Sequence, residues 1–252
     1  MATVENKAKI KEIFSSIQGE GVYIGCKQIF VRFCACNLQC CYCDTDFYPT
    51  NINDSNTYFE FTPKELLDYL KEHFDIRSTH SISLTGGEPL IWVDFLKEFM
   101  PLFNKEFSDI KFYLETNATI ADNAKEILPY TDILAGDVKL PSCSGVQNAF
   151  ELHEKFYKIV ADSVDKHGNT YSVRNKNSFA KVVFDDNIED AEIDKVILLA
   201  NHYDFEIILQ PRMTDNKPAV NSEFMMNTFE KFVQRYKYTR LIPQVHKFID
   251  VE

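Results

Sequence analysis

Strand-like and helix-like segments alternate along most of this chain, and this alternation restricts the possible fold more than any other feature. Strands that alternate with helices form a parallel sheet with right-handed crossovers. Seven runs rich in β-branched and aromatic residues predict strands, namely Ile29–Phe33, Ser81–Thr85, Phe112–Glu115, Ile133–Val138, Phe179–Phe184, Glu206–Gln210 and Thr239–Ile242. We therefore expect an α/β fold, a partial (β/α)6-type barrel of parallel strands with a closing strand, and not a full eightfold barrel.

The segments between these strands carry apolar residues at helical spacing. The clearest one opens with Thr62-Pro63-Lys64-Glu65, a capping box with proline at the first helical position. Pro101 is expected to end or kink the predicted helix Trp92–Phe107. The other predicted helices are Trp92–Phe107, Ala121–Leu128, Ala149–Ala161, Glu189–Ala200 and Glu223–Tyr236. The 252 residues contain no linker rich in Pro, Gly or Ser, so we expect a single domain over residues 1–252.

The charge balance argues against a polynucleotide substrate. The chain has 27 Lys plus Arg against 38 Asp plus Glu, a net charge of −11, and no basic cluster that would attract phosphates. No run approaches the roughly 18 apolar residues of a membrane span, and Met1–Phe14 lacks the apolar core of a signal peptide. We expect a cytoplasmic protein with a small-molecule substrate and no membrane or nucleic-acid partner.

Six of the seven cysteines fall within 18 residues, a clustering typical of a metal site in a compartment that keeps thiols reduced. Cys36, Cys40 and Cys43 have C-x3-C-x2-C spacing. Three thiolates so spaced can bind three irons of a 4Fe–4S cluster and leave the fourth iron open for a ligand. Zinc is the competing metal, but structural zinc sites commonly use two C-x2-C pairs, and the sequence has no second pair.

The remaining cysteines are weaker candidates. Cys41 is adjacent to Cys40, and neighbouring residues on a short loop cannot easily both face one cubane cluster. Cys34 alternates with Cys36 at the end of a strand and is the more ambiguous of the two. Cys26 and Cys143 are expected to be small core or surface residues, because free cysteine is often buried.

Polar motifs follow six of the predicted strands at their carboxyl ends. Parallel barrel strands bring these ends together at one mouth, where barrel enzymes have their active sites. The motifs are Cys36, Thr85-Gly86-Gly87-Glu88-Pro89, Glu115-Thr116-Asn117, Asp137-Val138-Lys139, Gln210-Pro211 and Gln244-Val245-His246. We therefore expect the cysteine site and these side chains to share one mouth.

The C-x3-C-x2-C motif followed by a GGEP segment resembles the radical S-adenosylmethionine (SAM) superfamily. Further segments resemble one family within it, the 7-carboxy-7-deazaguanine synthases. These segments are Ile13–Gly21, Phe30-Val31-Arg32, Cys43-Asp44-Thr45, Glu115-Thr116-Asn117, Leu209-Gln210-Pro211 and Pro243–Lys247. The similarity runs from about Lys11 to Ile249.

The resemblance implies an enzyme that converts 6-carboxy-5,6,7,8-tetrahydropterin to 7-carboxy-7-deazaguanine with loss of ammonia, on the queuosine pathway. A reduced 4Fe–4S cluster would split SAM to a 5′-deoxyadenosyl radical that takes the hydrogen at C6 of the pterin, and SAM would act as a cofactor. Magnesium would assist. The implied partners are a pterin substrate, a reductant such as flavodoxin or ferredoxin, and a second copy of the chain in a homodimer.

The resemblance also implies roles for single residues. The cluster ligands are Cys36, Cys40 and Cys43, and the magnesium ligand is Thr45. The substrate-binding positions are Ile17, Gln18, Gly19, Arg32 and Thr85, with Arg32 suited to a carboxylate because a guanidinium can donate two parallel hydrogen bonds. The SAM-binding positions are Tyr42, Asp44, Gly87, Glu88, Glu115, Asn117, Asp137, Val138, Lys139, Leu209, Gln210, Pro211 and Arg212.

The chain departs from the family pattern at three places. Ala35 and Ala118 stand where the family usually has glycine, and at Ala35 we expect a less constrained backbone. Asp137-Val138-Lys139 stands where some members have Ser-Pro-Lys. These departures leave open a homologue that acts on a different pterin-like or purine-like substrate.

Two other functions stay open at this point. A glycyl-radical activase would use the same cluster but would not need Ser16–Gly21, Arg32 and Gln244 as a pterin pocket. A zinc-stabilised or redox-sensing binding protein would be colourless, whereas an iron–sulfur protein is brown.

Overall fold

The computed structural model describes residues 6–43, 58–249 and 251. Its strands are β1 Ala8–Ile17, β2 Lys27–Phe33, β3 Phe59–Phe61, β4 Ser81–Gly86, β5 Lys111–Thr116, β6 Ile133–Asp137, β7 Ser178–Phe184, β8 Glu206–Pro211, β9 Met213–Thr214, β10 Lys217–Pro218 and β11 Thr239–Leu241. Its helices are α1 Pro63–His73, α2 Val93–Asn104, α3 Ala121–Ile127, α4 Pro141–Ser144, α5 Ala149–Ala161, α6 Asp190–Tyr203, α7 Ser222–Val233 and α8 His246–Ile249.

Within the described ranges, nine strands form one sheet in the order β11-β8-β7-β6-β5-β4-β2-β1-β3. The seven predicted strands correspond to β2, β4 to β8 and β11, and all neighbouring pairs among them are parallel. The sheet has two free edges in this order and does not close, which confirms the predicted partial barrel.

β1 and β3 are not among the predicted strands. β1 pairs antiparallel with β2, and β3 pairs antiparallel with β1. In β1, charged residues alternate with Ala8 and Ile10, and these two apolar side chains have no exposed surface. Alternation of this kind is typical of a strand with one buried face. β3 has only three residues, too few to show a period.

The predicted helices are present with small shifts at their ends. The capping box of α1 is confirmed, because the Glu65 N–H donates to the Thr62 hydroxyl and the Thr62 N–H donates to the Glu65 carboxylate. α2 continues three residues beyond Pro101, so proline does not end it there. None of the helices in the described part of the chain is long and apolar enough to cross a membrane.

The two faces of the sheet have different roles, as β7 shows. Ala180, Val182 and Phe184 face the main core between sheet and helices, whereas Phe179 belongs to a second, smaller apolar cluster inside the barrel. Lys181 and Val183 alternate with the outer residues and line a cavity at the mouth. Side chains two positions apart share a face of a strand, so the apolar cluster forms the floor beneath that cavity.

The sheet curves until its two sides meet at the mouth. Gln244, which follows β11, donates from Nε2 to Oε1 of Glu20, which follows β1, at 2.6 Å. The Val245 N–H also donates to the Gly19 carbonyl at 2.8 Å. The carboxyl-terminal segment thus connects the opposite sides of an open sheet.

Candidate active site

Two adjoining cavities occupy the mouth formed by the carboxyl ends of the parallel strands. The first, called here the cysteine cavity, has a volume of about 250 Å³ and is lined mainly by residues in or just after the carboxyl-terminal halves of β2 and β4 to β8. The second, called here the β1 cavity, has a volume of about 400 Å³ and is lined largely by β1 and the residues after it. The two cavities share the lining residues Glu20, Arg32, Thr85, Glu115 and Gln244.

The loop after β2 directs three cysteines into the first cavity. Cys36, Cys40 and Cys43 all line it, and Cys34 and Cys41 do not. The Cys41 thiol instead donates to the Cys143 carbonyl at 2.8 Å, and the Cys41 N–H donates to the Ser144 carbonyl. Cys41 therefore anchors the loop on α4.

Three thiols that line one cavity fit the number of protein ligands that an open cubane cluster needs. The Cys36 sulfur accepts hydrogen bonds from the Leu38 N–H at 3.4 Å and the Asn117 amide at 3.7 Å. Burial raises the pKa of the Cys36 and Cys40 thiols. Residues 6–43, 58–249 and 251 contain no group of three or more His, Cys, Asp or Glu that could hold a single ion. A cubane takes each thiolate on a different iron and needs no such group.

The backbone around the first cysteine is tightly constrained, and the expectation of a less constrained backbone at Ala35 is wrong. Ala35 has φ +65° and Ala118 has φ +54°, so both alanines keep the left-handed conformation that favours glycine. Close approach of the GGEP segment explains the constraint. A Cβ on Gly87 would lie 1.7 Å from the Ala35 carbonyl oxygen, and the Glu88 N–H donates to that same oxygen at 2.8 Å.

Glu88 lies behind the cavity wall and does not line it. Its carboxylate has no exposed surface and accepts hydrogen bonds from the Leu90 N–H, the Thr116 hydroxyl and the Asn117 N–H at 2.7 to 3.0 Å. Burial raises the pKa of Glu88 to about 7 although these three donors oppose the shift. In this structure Glu88 joins the GGEP segment to the end of β5.

Most of the predicted SAM-binding residues line the cysteine cavity, namely Tyr42, Gly87, Glu115, Asn117, Asp137, Lys139, Gln210, Pro211 and Arg212. Val138 and Leu209 are buried and do not line it. Gln210 is only 4% exposed, and its Oε1 has no hydrogen-bond partner among the described residues. A buried amide oxygen at a cavity wall is suited to accept a hydrogen bond from a ligand amino group. Asp44 and Thr45 lie outside the described residues.

A buried charge network crosses the floor of the cysteine cavity. Lys139 Nζ lies 2.7 Å from Asp137 Oδ2, and Lys181 Nζ lies 3.5 Å from Asp137 Oδ1 and 3.6 Å from Glu115 Oε2. Burial would lower the pKa of both lysines, but the neighbouring carboxylates, chiefly Asp137, raise it well above the usual value. Both lysines therefore remain charged beneath any ligand in this cavity.

Neither Lys181 nor Glu20 is among the single residues for which a site role is predicted. Lys181 is the charged residue in the otherwise mostly apolar segment SFAKVVF, in phase with Phe179 and Val183. A lysine at this position of an apolar strand is the sequence feature that indicates a functional side chain inside the barrel. Glu20 lies in Ile13–Gly21, one of the segments that carry the family resemblance.

The predicted substrate-binding residues all line the β1 cavity, namely Ile17, Gln18, Gly19, Arg32 and Thr85. Arg32 Nε donates to Glu12 Oε1 at 2.5 Å, and the guanidinium carbon lies 5.5 Å from the centre of the Phe14 ring. Gln18 Nε2 donates to Glu115 Oε1 at 3.1 Å. The cavity thus has a cation on one side and acceptor oxygens on the other.

Comparison with known proteins supports one family. Residues 30–166 match the Radical SAM superfamily. The 7-carboxy-7-deazaguanine synthase of Archaeoglobus fulgidus is 32% identical over 248 residues, covering 97% of this chain and 99% of that protein. The 7-carboxy-7-deazaguanine synthase of Geobacter sulfurreducens is 33% identical over 263 residues, covering 96% of this chain and 97% of that protein.

Solved structures agree on the fold. The crystal structure of QueE from Escherichia coli superposes with a TM-score of 0.62 at 18% identity and covers 95% of both chains. A radical SAM methyltransferase from Sphaerobacter thermophilus superposes with a TM-score of 0.60 at 13% identity, covering 94% of this chain and 73% of that one. The predicted resemblance is confirmed: the chain belongs to the radical SAM superfamily and, within it, to the 7-carboxy-7-deazaguanine synthase family.

Proposed function

We propose that this chain is a radical SAM enzyme that converts 6-carboxy-5,6,7,8-tetrahydropterin to 7-carboxy-7-deazaguanine with release of ammonia. The observation that carries the proposal is the pair of adjoining cavities. Three cysteines line one cavity, and Arg32, Thr85 and Glu115 line both cavities where they meet. This arrangement allows SAM and a small carboxylated substrate to lie side by side.

In this proposal Cys36, Cys40 and Cys43 hold a 4Fe–4S cluster, and the neighbouring polar side chains of the cysteine cavity hold SAM. When bound and reduced, the cluster supplies the electron that cleaves SAM. The Asp137–Lys139 pair offers a carboxylate and an ammonium to the polar parts of the cofactor. Gln210 offers its unpartnered oxygen to an amino group such as that of adenine. Glu88, Val138 and Leu209 support the wall from behind.

The β1 cavity binds the pterin in this proposal. Arg32 donates to the carboxylate, because its planar guanidinium can form two parallel hydrogen bonds with two oxygens. Ile17, Gln18 and Gly19 border the ring, and Thr85 lies where the two cavities meet. This cavity, of about 400 Å³, is large enough for a small heterocycle.

Magnesium binding at Thr45 is part of the same proposal and rests on the Cys43-Asp44-Thr45 segment of the sequence. A hydroxyl oxygen is a suitable ligand for this hard cation. In a Thr45→Ala variant, we expect weaker dependence of product formation on magnesium, with SAM cleavage retained. An unchanged magnesium titration of turnover would contradict this role.

We also propose a single-domain homodimer in the cytoplasm that takes electrons from a flavodoxin or ferredoxin. The family resemblance supports the dimer and the electron donor. Analytical ultracentrifugation of the cluster-loaded protein tests the dimer, since a monomer at micromolar concentration would contradict it. Reduction by each purified donor, followed by absorbance near 400 nm, tests the reductant.

The function is tested by incubating the anaerobic, reduced protein with SAM, magnesium and 6-carboxy-5,6,7,8-tetrahydropterin. We expect 7-carboxy-7-deazaguanine and ammonia in equal amounts, at more than one product per SAM consumed. A Cys40→Ser variant is the matched control, because it removes one ligand and leaves both cavities otherwise intact. SAM cleavage without a deazaguanine product would point to a different substrate.

A further inference from the structure

A buried histidine connects the two loops that carry the main polar residues of the cysteine cavity. His153 lies on α5 and has no exposed surface. Its Nε2 accepts a hydrogen bond from the Lys139 N–H at 2.8 Å, and its Nδ1 lies 3.0 Å from the Ala118 carbonyl oxygen. One ring therefore contacts the loops after β5 and β6 at the same time.

These two partners determine the state of the ring. A carbonyl oxygen only accepts and an amide N–H only donates, so Nδ1 must carry the proton and Nε2 must be bare. Burial lowers the pKa of His153 to about 4, which keeps the imidazole neutral. The ring is a rigid spacer with a donor on one side and an acceptor on the other.

The two backbone groups lie just beyond the ends of their strands. β5 ends at Thr116 and β6 ends at Asp137. Buried amide and carbonyl groups need hydrogen-bond partners. His153 bonds the Lys139 N–H and the Ala118 carbonyl, which lie beyond the last hydrogen bonds between the strands. The hydrogen bond to Ala118 also supports a residue held at φ +54°, where alanine is strained.

The side chains carried by these loops face the cysteine cavity. Asn117, one residue before Ala118, donates to the Cys36 sulfur and to Asn37 Oδ1. Lys139 directs its ammonium to Asp137 and lies 5.4 Å from the centre of the Tyr42 ring. His153, which contacts both loops, does not line the cavity itself.

We propose that His153 is a positioning residue that sets the distance between the Asn117 and Lys139 loops and thereby the affinity of the site for SAM. This inference rests on the proposed function, in which the cysteine cavity binds SAM. It assigns no proton transfer to His153.

Replacement of His153 by methionine fills the space but removes both hydrogen bonds. Misplacing binding groups by a fraction of an ångström to an ångström costs on the order of tenfold or more, so we expect SAM to bind about tenfold more weakly to His153→Met. The KM for SAM should rise while kcat at saturating SAM stays within about twofold. Affinity for the pterin should not change, because Ile17, Gln18, Arg32 and Thr85 are carried by other strands and loops.

Two conservative variants separate the two hydrogen bonds. In His153→Gln the amide oxygen can accept from the Lys139 N–H, and in His153→Asn the amide NH2 can donate to the Ala118 carbonyl. Each should recover part of the affinity lost in His153→Met. Tyr157→Phe is the matched control, since Tyr157 lies one turn further along α5, is equally buried, and its hydroxyl has no partner among the described residues.

The experiment is equilibrium dialysis of cluster-loaded protein against SAM and, separately, against the pterin, with iron content measured for each variant. Weak SAM binding in His153→Met with partial recovery in the two amide variants supports the inference. Wild-type SAM affinity in all three variants, or parallel loss of cluster, SAM and pterin binding, overturns it. If His153→Met does not fold, the amide variants alone decide, because equal wild-type affinity in both contradicts the spacer role. Failure of the wild-type protein to bind SAM would instead overturn the proposed function, and the inference with it.

Discussion

The Nζ of Lys181 lies 2.6 Å from the Oε2 of Glu20, although 161 positions separate the two residues in the chain. Their side chains are 11% and 15% exposed. Because Glu20 also accepts from Gln244, this pair joins β7 to both the segment after β1 and the segment after β11. One ammonium thus holds together three sides of the barrel mouth.

Loss of this ammonium should be strongly destabilising. Lys181→Met leaves Glu20, Glu115 and Asp137 close together without their shared cation, and breaking a buried pair on one side costs about 3 to 5 kcal/mol. We expect a lower free energy of unfolding by about that amount in anaerobic urea titrations, and a smaller loss in Lys181→Met combined with Glu20→Gln. The exposed Lys231–Asp190 pair is the control, since Lys231→Met should change stability by less than about 1 kcal/mol. A loss as small as the control's would contradict the role of Lys181.

The same pair predicts an acid-sensitive contribution from Glu20. Burial alone would raise the pKa of Glu20, but the charge and hydrogen bond of Lys181, together with Gln244 and His246, lower it to about 2. A carboxyl group whose pKa is lowered by folding stabilises the protein fully above the usual value of 4.5, and this contribution is lost as the pH falls toward 2. Cluster-free wild type should therefore lose about 3 kcal/mol of stability over this range that Glu20→Gln does not lose. Parallel stability curves for the two proteins would contradict this assignment.

The cluster ligands can be separated from the neighbouring cysteines. Serine at Cys36, Cys40 or Cys43 should abolish the cluster, whereas Cys34→Ala, Cys41→Ser and Cys143→Ser should retain it. Serine at position 41 keeps a hydroxyl that can donate to the Cys143 carbonyl, as the thiol does. Iron and sulfide are counted after anaerobic reconstitution. Cluster loss in Cys41→Ser with retention in Cys40→Ser would show that the ligands are assigned wrongly.

Arg32 should control substrate binding and leave SAM binding unchanged. Removing one partner of a desolvated charge pair costs about 2 to 5 kcal/mol, roughly 30-fold to several-thousand-fold in affinity. Arg32→Ala should weaken pterin binding by such a factor, and Arg32→Lys should recover only part because lysine lacks the planar fork. Glu12→Gln is a second test, since Glu12 accepts a hydrogen bond from Nε of Arg32. Wild-type pterin affinity in a folded, cluster-loaded Arg32→Ala protein would make Arg32 a structural partner of Glu12.

The strained alanine before the first cysteine offers a stabilising substitution. Ala35 has φ +65° and is partly exposed, so Ala35→Gly removes a conformational strain of about 1 to 2 kcal/mol. Glycine also raises the entropy of the unfolded chain, which lowers the stability of the folded protein by about 0.4 to 1 kcal/mol. We expect a net gain of about 0.5 to 1 kcal/mol. Ala118→Gly relieves the same strain but removes a fully buried methyl group, worth about 1 kcal/mol, and should be nearly neutral. Destabilisation by Ala35→Gly in urea unfolding would contradict the strain.

The sequence predicts the parallel strands because each is a short apolar run bounded by turn residues, and it predicts the mouth because polar motifs follow these runs. It indicates β1 only through the alternation of Ala8 and Ile10 with charged residues, which is not an apolar run, and β3 has too few residues to show a period. Lys181 stands out as the one charged residue of β7, but both faces of this strand are mostly apolar, so the sequence does not show which face lines the cavity. Nor can it show that Glu88 lies behind the wall, because that depends on how closely Gly87 approaches Ala35 in three dimensions.

The central claim is that SAM and the pterin occupy adjoining cavities of one mouth, and simultaneous equilibrium dialysis against both ligands tests it most directly. Cluster-loaded wild type should bind one SAM and one pterin at the same time. Arg32→Ala should lose affinity only for the pterin, and Lys139→Met only for SAM. Displacement of one ligand by the other, or loss of both ligands in either variant, would contradict the two-cavity account.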